Sequence, residues 1–391
     1  MSARDALALP AVPPPATRAH PRRDRALVTV FFALLVACAL FDPLHGRKVT
    51  VENRVPAAWP GWPSSTDWFG RFDAAFSDRF KGRSALIGLQ HAVLVLGLHT
   101  SPGGNVVLGR DDWLYFAGED GHSLDRHYRG TLPFPQALVD GLVAELERRR
   151  AWLAARGIAY VVTVAPDKST IYPEHLPAWM TRMPSATPFD RAVAALAAHP
   201  QLRFVDLRPA LRAAKAQEQV YYRTDSHWNY LGATVAYGEL MREVQRAVGT
   251  ARLPAIAPAE RPPYVAGVDT YRGDLARILG VPARYDEADI APFAKVLGDA
   301  TRRCAHRIDA GQYDGFEFYA CPRASLRLVM YRDSMAIALI PLLSENFARA
   351  VYVSSRRLDP ALIEREKPDV VIEELVERSL NAPAALPMPA P

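Results

Sequence analysis

Ile158-Ala159-Tyr160-Val161-Val162-Thr163-Val164 is the stretch on which the fold turns. It is continuously apolar but for one threonine, the pattern of a strand covered on both faces rather than one. Upstream, Ala137–Arg156 carries apolar residues at helical spacing and stops before Gly157. Downstream, the pattern predicts a helix over Thr187–His199, a strand over Arg203–Leu207, and helices over Pro209–Ala216 and Tyr230–Val248. Leu326–Tyr331 reads as another buried strand, followed by a helix from Met335 to about Ala350. Strands at Ala350–Ser354 and Asp369–Glu373 flank a short helix at Pro360–Glu366. Strand and helix in alternation imply an α/β sandwich around a mainly parallel sheet. In such a sheet the chemistry gathers at the carboxyl ends of the strands.

The ends of the chain read differently. Residues 1–25 hold five Arg and two Asp and are rich in Pro, a tail expected to be disordered and cytoplasmic. Ala26–Phe41 is free of charge, and a signal-anchor helix is expected over 26–42, with a cleaved signal peptide as the alternative. Arg18, Arg22, Arg23 and Arg25 precede it, so the body is placed outside the cytoplasm. A helical entry segment at 43–105, a single large domain at 106–380 and a flexible tail at 381–391 complete the expectation. The formal charge is +5, of which +3 belongs to the first 25 residues. The remainder makes no case for nucleic acid. Of three Cys, Cys304 and Cys321 lie in the exported body. There they close a short loop worth about 3 kcal/mol in the chain-entropy model, or stay as two thiols.

Three segments carry candidate chemistry. Met330-Tyr331-Arg332-Asp333-Ser334-Met335 puts a serine where a buried strand turns into a helix. That serine is either a nucleophile lifted to the sheet edge or a helix cap. Asp225-Ser226-His227 supplies a base with a carboxylate two residues before it, or else caps for the helix starting near Asn229. A metal reading, with His122 or His127 joining Asp225 and His227, has no recognisable ligand spacing. Lys168 and Tyr172 follow the first strand and are candidates for binding a sugar or carboxylate, or for plain packing.

Taken together the segments resemble the periplasmic alginate O-acetyltransferase family of the AlgJ/AlgX type, over roughly residues 50–380. The elements are Glu52-Asn53-Arg54, Phe76-Ser77-Asp78-Arg79-Phe80 with Arg83, and Leu108-Gly109-Arg110-Asp111-Asp112-Trp113-Leu114-Tyr115. Pro166, Lys168 and Tyr172-Pro173 continue the series, followed by Asp225-Ser226-His227-Trp228, Gly232-Ala233 and Gly273-Asp274-Leu275. It ends with Arg332-Asp333-Ser334 and Lys367-Pro368-Asp369-Val370-Val371-Ile372-Glu373.

The resemblance implies an SGNH-hydrolase-like three-layer sandwich and a triad of Ser334, His227 and Asp225, with Asp333 structural. Arg332 stands where the standard motif has Gly and is assigned, with Lys168 and Tyr172, to substrate contact. It further implies O-acetylation of an exported polysaccharide, with no cofactor or metal. The acyl group would come from an integral membrane acyltransferase, and the catalytic domain would sit in the periplasm at the inner membrane. A carbohydrate esterase using the same residues and a non-catalytic scaffold are the alternatives.

Overall fold

The computed structural model describes residues 21–40, 57–61, 67–79, 83–118, 123–256, 270–281, 284–288, 304–308 and 315–380. Of the tail expected at 1–25, residues 1–20 lie outside them and residues 21–25 form the first turns of a helix; the tail expected at 381–391 also lies outside. The chain divides into two compact units, Met1–Leu89 and Gln90–Pro391.

In the first unit, α1 (Pro21–Leu40) includes the charged cluster Arg22-Arg23-Asp24-Arg25 in its first turns. Its uncharged part, Ala26–Leu40, rises only about 22 Å at ~1.5 Å per residue. Among the described residues no helix is long and apolar enough to cross a membrane. Helix α2 (Trp68–Arg79) lines up Trp68, Phe72 and Phe76 at a spacing of four, ring centroids 5.1 and 6.2 Å apart. Helix α3 (Arg83–Ala92) follows.

The second unit is built on a mixed sheet. Its five parallel strands are β3 (Ala159–Ala165), β4 (Arg203–Asp206), β9 (Leu326–Tyr331), β10 (Phe347–Val353) and β11 (Val370–Val376). An antiparallel pair, β7 (His306–Ile308) and β8 (Phe316–Ala320), extends it beyond β10. The spatial order is β4-β3-β11-β9-β10-β8-β7, so the last strand among the described residues lies inside the sheet, between β3 and β9. A disulfide joins Cys304 to Cys321, from before β7 to just after β8.

Alternate residues of each strand serve opposite faces. Val161, Leu328, Met330, Ala350 and Ile372 pack under α8 (Arg208–Lys215) and α9 (Tyr230–Val248). Val162, Val164, Val329, Val351 and Val371 pack under α5 (Gln136–Ala154) and α7 (Pro188–Ala197). The second face also takes α12 (Pro360–Glu366). Covering on both sides explains the near-continuous apolar run of β3 and the burial of all seven residues of β11, two of which are the glutamates Glu373 and Glu374. On the α5 face Arg149 is fully buried, bonded to both oxygens of Glu373 at 2.8 Å. A small third cluster joins the hairpin β1 (Val106–Leu108) and β2 (Leu114–Phe116) to α10 (Asp274–Leu279).

One expected element is corrected. The helix expected from Met335 to Ala350 is a 3-10 turn at Met335–Ala338, a single α-turn at Ile340–Leu343 and a 3-10 turn at Ser344–Asn346. Pro341 has no N–H with which to continue a helix from Ile337, so the chain restarts there. Asn346 then ends the run, its Nδ2 donating to the carbonyls of Leu342 and Leu343. Strand β10 therefore begins at Phe347, three residues before the expected start.

Candidate active site

Ser334 follows β9 on the turn that leaves the sheet. Asp333 shapes that turn: its Oδ1 accepts from Met335 N at 2.8 Å, and its own N–H donates to Glu374 Oε2 on β11 at 3.0 Å. Arg332 N–H donates to Val353 O at 2.9 Å, tying the turn to β10. Asp333 thus spends its carboxylate on backbone, and the Ser334 side chain is left exposed.

Opposite stands the loop that leads into α9. Asn229, not Asp225 or Ser226, caps that helix, accepting from Gly232 N at 3.1 Å. Asp225 is left free to hold the imidazole: His227 Nδ1 lies 2.7 Å from Asp225 Oδ1, and His227 Nε2 lies 2.9 Å from Ser334 Oγ. Asp225 is buried and His227 only partly so. Burial pushes the Asp225 carboxyl up. The hydrogen bond and charge of His227, then Asp274 N–H and the Tyr271 hydroxyl, overcome it and hold the carboxyl well below the usual range. Burial lowers His227, yet the bond and charge of Asp225 and the charge of Asp274 leave it raised above 6.5.

The segment just before and at the start of α10 completes the surroundings. Tyr271 OH donates to Asp225 Oδ2 at 2.7 Å, and Asp274 N–H donates to the same oxygen at 2.9 Å. The Asp274 carboxylate accepts from Ser226 N at 2.7 Å and Ser226 Oγ at 2.5 Å. Burial and the charge of Asp225 raise its pKa. Gly273 lies so close that a Cβ there would sit 2.0 Å from Thr224 O. Glu287 accepts from Arg223 N, Thr224 N and Thr224 Oγ1 at 3.0, 2.8 and 2.6 Å.

Lys168 and Tyr172, expected to touch substrate, are placed otherwise. Lys168 is buried, and its Nζ donates to the carbonyls of Tyr222, Arg223 and Asp225 at 3.1, 2.8 and 2.6 Å. Burial drives Lys168 down to about 7, against the charges of Asp225, Glu287 and Asp274. Tyr172 is buried against Trp113, and its hydroxyl accepts from Val220 N at 2.9 Å. Both shape the loop from beneath instead of facing a ligand. Arg332 is also engaged, its Nη2 donating to Glu317 at 2.7 Å.

Asp225, His227 and Asp274 have ligand atoms within 4.8 Å of one another, and among the described residues they are the group that would hold a metal. The Asp225–His227 hydrogen bond occupies the atoms such an ion needs, so the donor set does not suit one. His127 lines a separate cavity, and His122 lies outside the described residues.

That cavity, of about 470 Å³, opens at the carboxyl ends of β3, β4 and β11, lined by Asp167, Thr170, Arg182, Arg208, Arg212 and Glu377 among others. Burial and the charge of Asp167 push Glu377 up to about 8. Arg378 adjoins it, its Nη1 2.5 Å from Asp167, and its charge reaches Asp333 and Asp274. Tyr271, Glu287, Glu374 and Arg378 carry no motif in the sequence. Asp274 stood within Gly273-Asp274-Leu275, a segment without an assigned role.

Residues 106–299 match the family model described as the SGNH hydrolase-like domain of acetyltransferase AlgX. The probable alginate O-acetylase AlgJ of Pseudomonas aeruginosa is 32% identical over 219 residues, covering 54% of this chain and 49% of that protein. The corresponding protein of Pseudomonas syringae pv. tomato is 32% identical over 181 residues, covering 44% and 41%. The chain thus spans about half the length of the curated relatives it matches. The O-acetyltransferase domain of Pseudomonas putida AlgJ is a looser structural likeness, with TM-score 0.45 and 21% identity over 72% of this chain and 92% of that one. Over residues 106–299 the chain is therefore similar to the SGNH hydrolase-like domain of acetyltransferase AlgX.

Proposed function

We propose that the protein is an O-acetyltransferase that moves acetyl groups onto hydroxyls of an exported polysaccharide through an acyl-serine. The observation that carries this reading is the continuous line Asp225–His227–Ser334, with contacts of 2.7 and 2.9 Å, ending on an exposed hydroxyl. The relatives named as alginate O-acetylases support the acyl group and the acceptor class.

In the first half-reaction Ser334 Oγ attacks the acetyl carbonyl and passes its proton to His227 Nε2. That proton leaves with the donor's departing group, and the acyl-serine remains. In the second, a sugar hydroxyl gives its proton to His227 and attacks the ester, and the proton returns to Ser334. Asp225 holds Nδ1–H throughout, which fixes the tautomer and steadies the imidazolium. The donor is an integral membrane acyltransferase, and the domain works outside the cytoplasm, tethered by α1. The charge-free Ala26–Phe41 behind an Arg cluster supports that placement.

The test is incubation with an activated acetyl ester, with and without oligosaccharide. Sugar ester should form, and Ser334→Ala should lower its rate by roughly a thousandfold or more and abolish the acetylated protein seen by intact mass. The exposure of Ser334 also suits water as acceptor. Acetate release without sugar ester would assign an esterase, and full activity of Ser334→Ala would remove the covalent mechanism.

A further inference from the structure

The Asp225 carboxylate makes four hydrogen bonds, two to each oxygen. Oδ1 accepts from His227 N at 2.9 Å and from the imidazole. Oδ2 accepts from Tyr271 OH and Asp274 N. Without the Tyr271 hydroxyl, Oδ2 keeps a single donor, Asp274 N–H, and the carboxylate is held less firmly against rotation about its Cβ–Cγ bond. The bonds to the second oxygen therefore bear on the orientation of the carboxylate that holds His227.

Tyr271 is built to stay in place. Its ring stacks on Tyr222, centroids 3.9 Å apart and planes 17° from parallel. Its backbone pairs with Glu287, whose carboxylate grips Arg223 and Thr224 immediately before Asp225. The close approach of Gly273 to Thr224 fixes the height of the whole segment. Burial and the Asp225 charge keep its phenol protonated, hence a donor.

We propose that Tyr271 is a positioning residue of the acyl-transfer site, holding Asp225, and through it His227, in line with Ser334. Its hydroxyl is spent on Asp225, so its effect belongs in turnover more than in affinity. The inference rests on the acyl-transfer reading above.

Tyr271→Phe in the full chain removes one oxygen and keeps the ring stack. We expect kcat for sugar-ester formation to fall about tenfold, the scale of one hydrogen bond to a charged group, with KM within about twofold. The downfield proton resonance of His227 Nδ1–H should shift or broaden. Should Tyr271→Phe fold poorly, 3-fluorotyrosine at 271 keeps the ring and alters only the acidity of the hydroxyl, and it should move the same resonance. An unchanged kcat and resonance, with Ser334→Ala inactive, overturns the role of Tyr271 alone. An active Ser334→Ala overturns the acyl-transfer reading itself.

Discussion

Two carboxylates face His227, and their environments set them apart. Asp225 is bonded on both oxygens and stays ionised, while Asp274 sits beside that negative charge and is raised. A general base works only when neutral, and His227 is raised above 6.5. Activity should therefore be full at higher pH and fall as pH drops through the His227 value. Asp274→Asn removes one of the charges that raise it, so the acidic limb of the kcat profile should move to lower pH. A limb that stays put, or moves upward, would show that Asp274 does not act on the imidazole.

The loop from Tyr222 to His227 is held by its neighbours more than by its own sequence. Lys168 grips three of its carbonyls from below, and Glu287 and the Tyr271–Asp274 segment grip it from above. Gly273→Ala would set a Cβ against backbone, which has no rotamer by which to yield. It should lower Tm by several degrees, as a ~1–3 kcal/mol overpacking does, and lower kcat with it. An unchanged melting curve would mean the segment is not pressed on the loop.

These contacts mark where the sequence stopped being legible. Apolar runs revealed β3, β9 and β11 because both faces of the sheet are covered. Asp225, His227 and Ser334 were visible as short motifs at element ends. Lys168 was not readable as a backbone clamp, since a lysine after a strand looks alike whether it meets solvent or three buried carbonyls. Tyr271 and Glu287 act through pairings across the fold, which leave no local pattern. Strand β8, with its paired aromatics Phe316 and Phe318, was missed because it sits on the antiparallel rim.

At the scale of the whole molecule, the proposed placement outside the cytoplasm makes a prediction about topology. Alkaline phosphatase fused after the last residue should be active in cells, and the full chain should sediment with membranes. An inactive fusion would place the catalytic unit in the cytoplasm and remove the exported-polysaccharide reading.

The position of β11 has a consequence for synthesis. A chain emerging from its N-terminus presents the Asp225–His227 loop first and Ser334 107 residues later. The strand that joins β3 to β9 comes after both. Until β11 slides between them the sheet is two unjoined halves, and the Ser334 turn lacks the Glu374 acceptor for its Asp333 amide. A molecule broken off before β11 therefore carries Asp225, His227 and Ser334 but lacks the strand that joins β3 to β9 and anchors the Ser334 turn. The topology thus makes alignment of the three side chains depend on a strand synthesised after all of them.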